Sequence, residues 1–85
     1  MTESEFFPYH NFHIEFKLDD GTKLSGLLSD PMNHNETKKT RTIYDFIPTI
    51  NMIAWKKAKQ NGDNVKMKEL QGEIDIVKIV LVRRL

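Results

Sequence analysis

The residue types that could do chemistry in this chain are few, and they cluster by charge rather than at catalytic spacing. His10, His13 and His34 are the candidate metal ligands, but an imidazole site needs its ligands fixed on rigid elements and supported by further hydrogen bonds. His13 falls on the polar side of an alternating run and His34 in a polar, turn-rich segment, so surface histidines are the stronger reading. Asp19 and Asp20 are adjacent carboxylates, a pair that acid-base chemistry can use. They stand directly before Gly21, however, and turn formation accounts for both. Ser25 and Ser29 have no nucleophile-elbow context, and no Ser-His-Asp arrangement follows from spacing. With no cysteine, zinc-thiolate chemistry and disulfide stapling are both excluded. The sequence predicts no enzymatic activity, no metal and no cofactor.

Cations offer more. Lys38-Lys39-Thr40-Arg41 and Trp55-Lys56-Lys57-Ala58-Lys59 are two basic segments. Clustered cations bind phosphates, and an aromatic ring such as Trp55 or Tyr44 can stack a base. Lys38, Lys39, Arg41, Trp55, Lys56, Lys57 and Lys59 are therefore the candidate nucleic-acid-binding residues. Against this, Lys56, Lys57 and Lys59 suit the solvated face of an amphipathic helix whose Trp55 packs inward, and a single tryptophan in a small domain favours that packing role. The formal net charge of +1 hides a division: residues 1 to 36 hold seven acidic and two basic side chains, about −5, and residues 37 to 85 hold five acidic and eleven basic, about +6. Such asymmetry serves a polyanion or lets two copies attract each other.

These side chains must be positioned by a single small domain, since 85 residues leave no room for a second. Phe12 to Leu18 alternate strictly, with Phe12, Ile14, Phe16 and Leu18 on one side, which predicts a half-buried strand. For Leu24 and Leu28 to reach the same side, the loop must be the three residues Asp19-Asp20-Gly21, pairing Phe16 with Leu24, Ile14 with Gly26 and Phe12 with Leu28. Gly21 then takes the left-handed position of a bulged turn. Gly26, inside the second strand, predicts a sharp bend or a close backbone approach.

Residues 29 to 39 form a polar loop, and RTIYDFI a third strand ending at Pro48. The period then changes, placing Ile50, Ile53, Ala54 and Ala58 on one helical stripe. Thr49 or Asn51 is the expected cap and Gly62 the expected end. A shorter helix follows, capped by Asp63 or Asn64. In the last run, IDIVKIVLVRR, both faces are apolar from Ile76 to Val82, which predicts a central strand or one covered by the helices or by a partner chain. A short helical turn at Ser4 to Tyr9 precedes the first strand, with Phe6-Phe7-Pro8-Tyr9 either a hydrophobic plug, the stronger reading, or a patch for a partner.

Ile14, Phe16, Leu18, Gly21, Leu24, Gly26 and Leu28 fall at the spacing of the first motif of the Sm-like small barrels, a family of ring-forming RNA-binding proteins, and the chain resembles that family there. Asp30 and Asn33 are approximate counterparts of the motif's later Asp and Asn. The second Sm motif has Pro48-Thr49 where Arg-Gly stands in the family. The elements read along the chain follow the order β-β-β-α-α-β, and the resemblance implies that the strands build a small, strongly bent antiparallel barrel. The expected fold is α+β, with residues 49 to 72 as a helical insertion where the family has a very short turn. The expected role is a non-catalytic binding or assembly module, with Sm-like RNA binding as the alternative. Apolar side chains on the last strand, Val77, Ile79 and Leu81 among them, predict self-association into a homodimer or small ring. Acidic residues near the start and no apolar run of about eighteen residues predict a soluble, cytoplasmic chain with no membrane contact.

Overall fold

A computed structural model of the chain describes residues 1 to 29 and 42 to 85. Among them, five strands form one antiparallel sheet: β1 (His13–Leu18), β2 (Lys23–Ser29), β3 (Ile43–Pro48), β4 (Gly72–Asp75) and β5 (Ile79–Arg84), in the order β4-β3-β2-β1-β5. Three α-helices accompany it, α1 (Glu3–Phe6), α2 (Met52–Gln60) and α3 (Asn64–Leu70). The fold is α+β, and the sheet is not closed: β4 and β5 are its two edges. No helix among the described residues is long and apolar enough to cross a membrane.

The first hairpin has the expected register over His13 to Lys17, but the expected Phe12–Leu28 pair is absent: β1 begins at His13, Phe12 is exposed, and the Leu28 carbonyl accepts instead from the N–H of Asn11, where the chain turns at φ 64°. Phe16 pairs with Leu24 and Ile14 with Gly26, and Leu18 donates its N–H to Thr22, closing a three-residue loop. Gly21 sits at φ 92° with open space where a Cβ would be, so Gly21→Ala is expected to cost about 1 kcal/mol, from left-handed strain alone. Urea denaturation would measure it, and an unchanged midpoint would refute the turn assignment. Asp20 accepts the Thr22 N–H at 2.9 Å, and hydrogen bonding to Thr22 holds its carboxyl below the usual range. Gly26 needs its missing Cβ for a different reason. A Cβ there would collide with the Ile47 carbonyl oxygen and come within 2.9 Å of the Phe46 ring.

Alternation along the strands sends side chains to two separate cores. On one face Ile14, Phe16, Leu28, Tyr44 and Ile79 meet Phe6 and Ile76, with Leu24, Phe46, Ile74 and Val82 at the margin, so all five strands contribute to one cluster. Phe6 is the plug, fully buried and edge-to-face on Tyr44 at 5.1 Å. Its neighbour Phe7 is 68% exposed, which divides the aromatic run between core and surface. On the other face, Ile47 and Leu27 pack under Trp55, Ala58, Met67, Met52 and Leu70 of the α2–α3 hairpin.

Three expectations are corrected. The last apolar run is not one central strand. Asp75 accepts the Val77 N–H at 3.1 Å and caps a 3-10 turn over Ile76–Lys78, dividing the run into β4 and β5. Ile76 is thereby turned into the core, and β5 pairs only with β1, at a sheet edge, with a register shift opposite Lys17/Leu18.

The stripe of α2 is rotated as well: Met52, Trp55 and Ala58, spaced by three, face the sheet, whereas Ile50 and Ile53 are 92% and 85% exposed. Burying the large Trp55 ring removes more apolar area from water than burying either isoleucine, and it fixes which side of the helix turns inward. Neither Thr49 nor Asn51 caps the helix by its side chain. Asn51 instead donates to the Leu70 carbonyl at 3.0 Å, joining the start of the hairpin to its end. Asp63 does cap α3, accepting the Lys66 N–H at 3.0 Å, and Gly62, at φ 70°, lies in the turn that ends α2.

Candidate functional site: an exposed edge strand

The surface around β5 combines an open sheet edge, exposed apolar side chains and clustered charge. Val77, Val80 and Leu81 are 59%, 53% and 63% exposed. The register shift next to Leu18 explains why two neighbours, Val80 and Leu81, both reach solvent, since a bulge breaks the strict alternation of a strand. Ile79, expected to join them, lies in the core at 2% exposure, because it stands opposite Leu18 on the inward side. Of the three self-association residues read from the sequence, Val77 and Leu81 are therefore available at the surface and Ile79 is not.

On the outer face of β1, β2 and β5, Leu81 borders an open groove with Lys17, Lys23, Glu15 and Arg83 at its walls. Arg83 Nε donates to Glu15 Oε1 at 2.8 Å across the β1–β5 pair. Both side chains are well exposed, so the pair contributes little stability but holds Arg83 in place beside Leu81. Lys78, Arg83 and Arg84 give the β5 end of the sheet a positive character, and β4 at the opposite edge carries Glu73 and Asp75.

Of the candidate nucleic-acid residues, the described ones lie on α2 rather than on this edge. Trp55 is 5% exposed and donates its indole N–H to Gln71 Oε1 at 2.8 Å, so its ring forms part of the hairpin core. Lys59 lies over that ring, with Nζ 5.3 Å from its centroid. Lys56 and Lys57 are exposed on α2. Lys38, Lys39 and Arg41 lie outside the described residues, as do His34, Asp30 and Asn33.

One polar cluster escaped the sequence reading. His13 Nε2 lies 3.0 Å from Thr49 Oγ1, which is 2.8 Å from Ser25 Oγ. The three come from β1, β2 and the 3-10 turn Thr49–Asn51, and only strand pairing brings them together. A hydroxyl beside an imidazole is the geometry of an activated nucleophile, but the Thr49 oxygen is shared between two partners and tethers the start of the helical hairpin to the sheet. Among the described residues, no group of three or more His, Asp or Glu is placed to hold a metal ion.

No family model matches the chain, and no match was found among curated proteins or solved structures.

Proposed function

We propose that this chain is a non-catalytic assembly module, built on a divergent Sm-like small barrel, whose copies join through the edges of the sheet. The carrying observation is the β5 edge, where Val80 and Leu81 on the strand and Val77 on the turn before it are all exposed. An edge leaves a row of N–H and C=O groups without strand partners, and natural edges are commonly guarded by proline, inward-pointing charge or covering segments. No proline or charged residue stands between Ile79 and Val82, and among the described residues the Met1 amine reaches only the start of this edge, donating to the Val77 and Ile79 carbonyls at 3.2 Å. Adding a strand satisfies the backbone and takes apolar side chains out of water.

Charge supports the same reading. The acidic β4, with Glu73 and Asp75, complements the basic end of β5, with Arg83 and Arg84, and this favours contact between unlike edges in a dimer or small ring. The barrel reading draws on the core cluster to which all five strands contribute and on the close approach of β2 to β3 at Gly26, which together favour a strongly bent sheet. The alternative role, Sm-like RNA binding, draws on the exposed lysines of α2.

Light scattering tests the assembly reading. The wild-type chain is expected to exceed the monomer mass between micromolar and submillimolar concentration, and Val80→Lys/Leu81→Lys to be monomeric with unchanged circular dichroism. A wild-type chain that stays monomeric over that range sinks the proposal.

A further inference from the structure

The helical hairpin carries a second unpartnered surface. Ile50 and Ile53 are the most exposed of the large apolar side chains described, at 92% and 85%. Ile53 and Lys57 are four residues apart on α2, so they lie side by side on one helix face, with Ala54 and Lys56 exposed beside them. The face is therefore an apolar start followed by a basic end. It is opposite the Trp55–Ala58 side that covers the sheet.

The N-terminal helical segment offers the complement. Phe6 points into the core, and Glu3 and Phe7, also four residues apart, are exposed on the outer side. Phe7 is 68% exposed and backed by His10, with ring centroids 5.9 Å apart and planes at 24°, so its outer ring face is held ready for a contact. An acidic and aromatic pair on one element thus matches an isoleucine and lysine pair on another.

We infer that the face formed by Ile50, on the 3-10 turn Thr49–Asn51, with Ile53 and Lys57 of α2 receives the Glu3–Phe7 face of a second copy of this chain. This contact rests on the self-association reading and adds to the edge pairing a second interface, of apolar centre and opposite charge. Phe7 covers Ile53 and Ile50, and Glu3 meets Lys57. The contact joins two different surfaces, so it propagates from copy to copy or closes on itself, and it gives the division of acidic and basic residues along the chain a structural use.

Dissociation constants from sedimentation equilibrium test it on the full chain. Ile53→Glu is expected to weaken association about tenfold or more, because it sets a charge in the apolar centre. Lys57→Glu and Glu3→Lys are each expected to weaken it about fivefold, and the double exchange Glu3→Lys/Lys57→Glu to restore it to within about twofold. All three positions are exposed, and circular dichroism should confirm that every variant folds. An associating wild type that neither Ile53→Glu nor Lys57→Glu affects overturns this contact and leaves edge pairing standing. A wild type that never associates overturns both. Loss of affinity for a single-stranded oligonucleotide in Lys57→Glu, with the mass unchanged, overturns this contact too and assigns the lysines to phosphate.

Discussion

Phe6→Ala is expected to cost about 4 kcal/mol, the usual loss when a large aromatic ring is cut out of a closed core. A chain of this length has a total stability of roughly 4 to 13 kcal/mol at the usual yield per residue, so the variant should be partly or wholly unfolded without added denaturant. The physical cause is specific. Phe6 is fully buried among side chains from all five strands and closes the cluster that they share. Phe7→Ala is the control, since Phe7 is 68% exposed and an exposed truncation usually changes stability by about 0.5 kcal/mol or less. Urea denaturation followed by circular dichroism separates the two. Equal losses from Phe6→Ala and Phe7→Ala would show that the plug is assigned to the wrong ring.

Gly26→Ala should be the next most damaging change, at about 3 kcal/mol, near the upper end of the range for forcing atoms into a packed interior. The added Cβ would meet the Ile47 carbonyl oxygen, a backbone atom that cannot rotate away, and the Phe46 ring 2.9 Å away. Gly26 also has φ 157°, at the margin of the region that suits L-residues poorly. Relief requires β2 and β3 to separate where Gly26 pairs with Pro48 and Leu27 with Ile47. Comparing Gly26→Ala with Gly21→Ala isolates the steric part, because a Cβ at Gly21 meets nothing within 4 Å. If the two variants unfold at the same denaturant concentration, the close approach does not govern the β2–β3 contact. Amide exchange in β3 should accelerate in Gly26→Ala well before that of β1.

The hairpin was legible because its information is local. A period of two in Phe12 to Leu18, a glycine at the turn and the need to keep Leu24 and Leu28 on the inward face leave one register, and the observed pairs agree with it at Ile14 and Phe16 but not at Phe12, which lies before the strand and is exposed. Asp63 as a cap and Gly62 as a helix end were legible for the same reason. The stripe of α2 was not. Ile50, Ile53, Ala54 and Ala58 lie along one helical stripe, and Met52, Trp55 and Ala58 along another, and a period alone does not say which face finds a surface to cover. The Trp55 ring decided it by fitting between Ile47 and Met67.

The break in the last strand was hidden for a related reason. Ile76, Val77 and Lys78 have ordinary strand composition, and only the turn capped by Asp75 makes them a corner. Similarly, His13, Ser25 and Thr49 are separated by 24 and 36 residues along the chain at their contacts, a distance across which spacing carries no signal.

The amino-acid order by itself therefore determined the strands β1, β2 and β3, the turn at Gly21, the need for a bare backbone at Gly26 and the presence of two helices between residues 49 and 72. Each of these follows from short-range sterics or from one period of alternation. The tertiary structure alone decided which apolar side chains stay outside. Val80 and Leu81 are exposed together because a register shift interrupts the alternation of the edge strand β5, and Val77 because it sits on the turn before that strand. Ile50 and Ile53 are exposed because Trp55 took the sheet. A single small domain has too little surface to cover to hide every apolar face it carries, and the faces left over are where its partners are to be sought.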